Sequence, residues 1–340
     1  MERDTTACHR RRRGARSPLM FGFALAMNAA IDGAATPAAM PAAPAAATMP
    51  ARAQAPGYYR MMIGNIEVTA LNDGVDELPA AALLQHAKPN EVARALARNF
   101  LSDPVPTSLN AFLVNSGGKL SLIDTGAGQL LGPGLGKLLA SMRAAGFSPE
   151  QVNDIYLTHM HRDHVGGLVA NGQRVFPNAT VHAARREAEY WLSPAQLAAA
   201  PADAKASFQI AMDELSPYIA AGRFSSFDGD VQLAPGISAQ AARGHTPGHT
   251  AYRISSRGQI LLVWGDLVHV AAVQLEDPSV TLKFDADPAQ AATTRTSVLN
   301  DAAAKRYWIA GAHLSFPGIG HLRAGQHGYT WVPAAYGAAQ

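Results

Sequence analysis

Period-two alternation runs through residues 66–71 and stops at Asn72-Asp73-Gly74, a composition that favours a turn, so the first predicted strand ends there. The runs 110–115 and 119–124 flank Ser116-Gly117-Gly118 and read as a hairpin, which opens this half of the chain with antiparallel strands. Helical spacing follows over 135–145 and breaks at Gly146. Ile155-Tyr156-Leu157 reads as a buried strand that runs directly into Thr158-His159. Val181-His182 then leads into two predicted helices, 184–192 and 204–221, the second ending at Gly222. Strands at 237–241, 252–255 and 260–264, a helix at 288–304 and a strand at 307–310 complete the pattern. There is no internal repeat. Short β-rich runs alternating with helical runs predict an α/β chain, most simply an αββα sandwich of two packed sheets with outer helices.

Patterned sequence begins only at Pro56-Gly57-Tyr58-Tyr59, so residues 1–55 are set apart from a single domain over 56–340. The leader opens with Arg10-Arg11-Arg12-Arg13, passes through an apolar stretch over 19–31, and reaches the cleavage-like Ala51-Arg52-Ala53. That order reads as an export signal to the periplasm or beyond, with a disordered basic tail as the alternative. No other run approaches the ~18 apolar residues of a membrane span. The single cysteine, Cys8, lies in the leader, so any metal held by the body must take His and carboxylate ligands. The net charge of +2 includes the leader arginines, and no basic run interleaved with aromatics follows them, which argues against a nucleic-acid partner.

The chemistry is concentrated in Thr158-His159-Met160-His161-Arg162-Asp163-His164-Val165-Gly166-Gly167, where three imidazoles and a carboxylate fall within six residues directly after a strand. Such a density is hard to explain as packing or as scattered surface histidines. A borderline imidazole set with a hard carboxylate and no thiolate suits Zn²⁺, with Mn²⁺, Fe or Co²⁺ as alternatives. His159 and His161 alternate as extended residues do, whereas Asp163 and His164 lie in the turn that follows. Two adjacent ions fit that split better than one closed structural zinc. Gly166-Gly167 would let the chain turn tightly past the metals into a helix.

His159-x-His161-x-Asp163-His164 resembles the signature motif of the metallo-β-lactamase superfamily. The resemblance implies further ligands: His245 in Gly244-His245-Thr246-Pro247-Gly248-His249, a bridging Asp266 after the buried strand, and His313 after a late strand. His159, His161 and His245 would hold one divalent ion, Asp163, His164 and His313 the other, with Asp266 shared. Asp124 in Asp124-Thr125-Gly126 and His249 would support the ligands from behind. Two such ions would share a hydroxide, with Asp163 and Asp266 counted among the catalytic residues. No Gly-x-Ser-x-Gly competes for a nucleophile role.

Within the superfamily, the stretches Gly57-Tyr58-Tyr59-Arg60, Tyr190-Trp191-Leu192-Ser193, Asp277-Pro278-Ser279-Val280 and 313–321 resemble methyl parathion hydrolases and their lactone-hydrolysing relatives. That likeness implies a homodimer and an apolar pocket lined by Leu131, Trp191, Phe208, His269, Leu282 and Phe284. Each of these could equally be ordinary core. Such a wall suits small aromatic, uncharged substrates. His269 departs from the organophosphate-degrading pattern, which is apolar there, and lies at the offset from Asp266 where homoserine-lactone hydrolases carry a tyrosine. Its ring could donate to a lactone or ester oxygen. The expectation is therefore a lactone or aryl-ester hydrolase with phosphotriester hydrolysis as an additional activity. A primary organophosphate hydrolase, an acyl-homoserine lactonase and a non-catalytic metal-binding protein are the alternatives.

Overall fold

The computed structural model describes residues 54–337, so the predicted leader, apart from Gln54 and Ala55, lies outside the described residues. One seven-stranded sheet runs in spatial order Tyr58–Ile63, Ile66–Leu78, Val105–Ser116, Lys119–Ile123, Val152–Tyr156, Thr180–Ala184 and Phe224–Phe227. Its first four strands are antiparallel and its last three join on in parallel. The other seven-stranded sheet orders Val231–Ala234, Ile237–Ala241, Thr250–Ser256, Gln259–Val263, Trp308–Ala310, Ile319–Ala324 and Tyr329–Pro333, with one parallel pair in its middle.

Alternation along these strands sorts side chains between layers. In the first sheet Phe112, Val114, Ile123 and Tyr156 point inward and meet Tyr252, Ile254, Leu261 and Val263 of the second, forming the core between the sheets. Their neighbours Leu113, Leu122, Ile155 and Val181 face outward, under the helices Leu138–Ala144 and Lys205–Ala220. On the far side Leu262, Trp264 and Ile309 pack under Pro288–Lys305. Each fully buried Leu, Ile or Val removes enough apolar surface from water to contribute roughly 1.5–3 kcal/mol. The αββα sandwich expected from the pattern is therefore the observed fold.

The turn expected at Asn72-Asp73-Gly74 is instead a β-bulge inside the single strand Ile66–Leu78, where the register to Val105–Ser116 shifts between Asn72 and Gly74. The bulge turns Asp73 into the interior. There its carboxylate accepts from the backbone N–H groups of Ala127, Gly136 and Leu138, at 2.9, 3.2 and 2.9 Å. It thus caps the helix Leu138–Ala144 from a different element and ties down the loop that carries Leu131. The helix predicted from 135 starts three residues later because of that anchor.

Candidate metal centre

Each cluster residue follows a strand. His159 to His164 come after Val152–Tyr156, His245 after Ile237–Ala241, Asp266 after Gln259–Val263 and His313 after Trp308–Ala310. The two sheets thereby deliver donors from opposite sides to one point. His159, His161, His245 and Asp266 form one group of donor atoms, all within 4.8 Å of one another, and Asp163, His164, Asp266 and His313 form a second. Asp266 belongs to both. The single helical turn Arg162–Val165 begins just after His161 and swings Asp163 and His164 away from His159 and His161, which produces the split into two groups.

The hydrogen bonds behind the rings fix which nitrogen is bare. A carboxylate only accepts, so Asp285 Oδ1, 2.8 Å from His245 Nδ1, places the proton there and leaves Nε2 free. Asp124 Oδ2 does the same for His164 at 2.9 Å. Thr158 Oγ1 donates to Asp124 and therefore accepts from His159 Nδ1, at 3.0 Å. His249 donates from Nδ1 to Ala242 O and accepts the Asp266 N–H at Nε2, so it holds the backbone beneath the shared carboxylate. Gly265, at φ 57°, makes that approach feasible, since a Cβ there would lie 2.5 Å from His249 Nε2.

These tautomers fit a bound cation. The bare Nε2 atoms of His159 and His245 each lie 3.0 Å from His161 Nδ1. One ring proton on His161 could serve only one of them, whereas a cation serves all three. Burial, reinforced by the neighbouring His245 ring, pushes His161 down to about 3, and burial likewise pushes His159 well below the ordinary imidazole range. Both are thus neutral donors. On the other side, His164 Nε2 and Asp266 Oδ1 lie 3.1 Å apart with no hydrogen bond to each other or to any other described group. Burial opposes charge on His164, but Asp266, Asp163 and Asp124 outweigh it and raise that ring above its ordinary value. Asp266 is held well below the carboxylate range by the surrounding rings in spite of its burial.

Gly166 and Gly167 are needed for space rather than for a turn. A Cβ at Gly167 would sit 2.0 Å from Thr125 O and one at Gly166 2.4 Å from Ala127 O, and the helical turn precedes the pair instead of following it. Their absence of side chains brings the Asp124 segment against the ligand loop.

The groups open into a cavity of about 450 Å³ whose wall includes Leu78, Leu83, Leu109, Leu131, Ile210 and Phe284. Of the six wall residues expected, Leu131, His269 and Phe284 line it. Trp191, Phe208 and Leu282 do not. Large apolar side chains gain most by full burial, and these three take it. Trp191 packs on Phe208 at 4.6 Å between ring centroids and against His161 at 5.3 Å, and Leu282 pairs with Leu84 in a small ribbon. His269 stacks on His313 with centroids 4.8 Å apart, and its Nε2 lies 2.9 Å from Asp266 Oδ2. With the ring pushed down to about 4 by burial, its one proton faces that carboxylate, and Nδ1 has no partner. The donor expected to meet a substrate oxygen is thus already engaged. Asp285 was not anticipated: it lies 40 positions after His245 in no motif, and only the fold brings them together.

A model of the metallo-beta-lactamase superfamily matches residues 105–313. Among solved structures, the hydrolase AbOPH of the beta lactamase superfamily is 36% identical, covering 84% of this chain and 100% of its own, with a TM-score of 0.79. AidC, a dizinc quorum-quenching lactonase in complex with the product N-hexanoyl-L-homoserine, is 28% identical over 83% of this chain and 98% of its own, with a TM-score of 0.77. A probable metal-dependent hydrolase from Staphylococcus aureus, 20% identical with a TM-score of 0.63 over 74% of this chain and 91% of its own, shares the fold. A search of curated proteins gave no match. With the family model spanning well over half the chain and a 36% identical relative aligned along nearly all of the domain, the chain belongs to the metallo-β-lactamase superfamily of metal-dependent hydrolases.

Proposed function

We propose that this protein hydrolyses lactones or aryl esters with two divalent ions, zinc by the chemistry of the donor set, and that phosphotriesters are additional substrates. The observation that carries the reading is the pair of donor groups sharing Asp266 in a cavity of about 450 Å³ that also has apolar walls, large enough for a small aromatic ester. The 28% identical AidC, a dizinc lactonase, supports both the metal and the substrate class. In the proposed centre His159, His161 and His245 hold one ion, Asp163, His164 and His313 the other, and Asp266 spans them. The chemistry divalent ions would supply there is a water made acidic near neutrality and a polarised oxygen in the bond to be split.

The chain's own residues supply the rest. Asp285, Asp124 and Thr158 hold the three rings by Nδ1, which turns each Nε2 toward the shared centre, and His164, raised by the carboxylates around it, would release its Nε2 proton on loading. Leu131 and Phe284 give the cavity an apolar wall beside the donor groups, and His269 steadies the shared carboxylate through Oδ2.

The test is one metal-loaded preparation assayed on an aromatic lactone, an acyl-homoserine lactone and a nitrophenyl phosphotriester. We expect the highest kcat/KM on the aromatic lactone. A phosphotriester that leads the panel would overturn the assignment of ester bonds as the main substrate, and no hydrolysis of any of the three would overturn the assignment of substrate class. The leader completes the proposal: the protein is exported and cut near Gln54, and active cytoplasmic protein from the native host with residues 1–53 intact would refute this.

A further inference from the structure

Glu187 is a buried carboxylate, 1% exposed, that no step above uses. It projects from the helix Arg185–Trp191 into the seam between the two ligand-bearing loops. Its Oε1 accepts the backbone N–H of Met160 at 2.9 Å, and Met160 sits between His159 and His161. Its Oε2 accepts the Thr246 hydroxyl at 2.7 Å and the Gly248 N–H at 2.8 Å, on the two sides of Pro247 and just after His245. The first loop belongs to one sheet and the second to the other. Within hydrogen-bond reach the carboxylate meets donors only, and the Glu187 helix leaves no room to retreat, since a Cβ at Gly248 would come within 2.2 Å of Glu187 N.

We infer that Glu187 is a positioning residue that sets the distance between the His159/His161 pair and His245, and so selectively tunes the three-histidine metal site. It touches neither Asp163, His164 nor His313 by hydrogen bond. An ionised carboxylate can accept at both oxygens at once, which an amide cannot, so Glu187→Gln turns an NH₂ group toward a donor on one of the two loops. Leaving a buried donor unmet loosens that loop while the volume is kept. The inference rests on the dinuclear reading of the centre.

The test is a chelator-competition titration with Zn²⁺ on the full chain, which reads affinity rather than turnover. Wild-type protein that binds fewer than two ions per chain would overturn the dinuclear reading itself. In a His313→Ala background, which retains the three-histidine side, Glu187→Gln should weaken the remaining site by ~10–100-fold. In a His245→Ala background the same change should alter affinity by no more than about twofold, as expected for groups that share no partner. Equal losses in both backgrounds, or no loss in the first, would overturn the inference. Should Glu187→Gln fail to give folded protein by circular dichroism, Thr246→Val removes one donor and keeps the carboxylate. It should then show a smaller loss with the same selectivity, and its absence counts against the proposal equally.

Discussion

Asp266 offers Oδ1 toward His164 at 3.1 Å and Oδ2 toward His313, His245 and His159 at 3.1, 3.4 and 3.5 Å, so a single carboxylate faces every imidazole that converges on the centre except His161. Its removal should therefore loosen both ions together. Asp266→Ala is expected to lower kcat/KM by at least about 100-fold on every substrate, beyond what loss of one outer partner causes, and metal analysis should show fewer than two ions per chain. Retention of more than a few per cent of activity with two ions bound would remove Asp266 from this role. His269 raises a finer question. From its offset alone, opposite effects on lactones and phosphotriesters would be expected from His269→Leu. Its Nε2 contact to Asp266 changes that expectation. Loss of a group that orients the shared carboxylate should lower both activities by ~10-fold and leave their ratio unchanged, whereas a lactone-specific fall would restore the role of donor to the substrate. The residues of the two donor clusters were legible in the sequence because few residue types can bind a cation and their positions follow strand ends. Asp285 was not, since any of many carboxylates could have been brought behind His245.

At the scale of elements, what the sequence disclosed was whatever repeats. The helix 288–304 and the strand 237–241 coincide almost residue for residue with Pro288–Lys305 and Ile237–Ala241, because their periods are sustained and their ends marked. The last two strands of the second sheet, Ile319–Ala324 and the edge strand Tyr329–Pro333, escaped, being short and mixed with polar residues, and stabilised by pairing with each other and, for the first, with Trp308–Ala310 rather than by pattern. The bulge at Asp73 escaped for another reason: the same residues that make turns also make bulges, and only the distant N–H groups of Ala127, Gly136 and Leu138 decide between them. The helix Lys205–Ala220 presents a further buried acid. Glu214 accepts the Val169 N–H at 2.8 Å, and burial pushes it up to about 7 from an ordinary 4.5. In the unfolded chain it releases its proton more readily than in the folded one, so folding loses stability as pH rises from about 4.5 to about 7 and is flat beyond. The loss is roughly 3 kcal/mol at most for a shift of this size. Glu214→Gln keeps an acceptor for Val169 and removes the titration. Urea midpoints of this variant should decline less across that window than those of the parent, and parallel declines would dismiss Glu214 as the source.

For the whole molecule, the question is how two sheets come to be locked together at one end. Between them lies a continuous apolar core, yet at the site end the contact surfaces are donor groups that have desolvated four imidazoles and an acid, each fully or nearly fully buried: His159, His164, His245, Asp266 and His313. Burying polar groups without partners opposes folding, and His164 Nε2 and Asp266 Oδ1 are two such atoms. Cations bound only by the folded chain would reverse this cost and cross-link the sheets, because His159, His161, Asp163 and His164 come from the first and His245, Asp266 and His313 from the second. Linkage then sets the size of the effect. Each site filled at 100 times its Kd adds about 2.7 kcal/mol to the folded state. With about 2–4 °C gained per kcal/mol in a domain of this size, two filled sites should raise Tm by roughly 10 °C or more. Stripping the protein with a chelator should lower Tm by that amount, with circular dichroism at low temperature unchanged, since the apolar core between the sheets is untouched. Zn²⁺ added back should restore Tm, and the rise should grow with the logarithm of free metal once the sites are saturated. A Tm that does not depend on metal would mean that the donors do not bridge the sheets, and the picture of a centre built from both halves would fall with it.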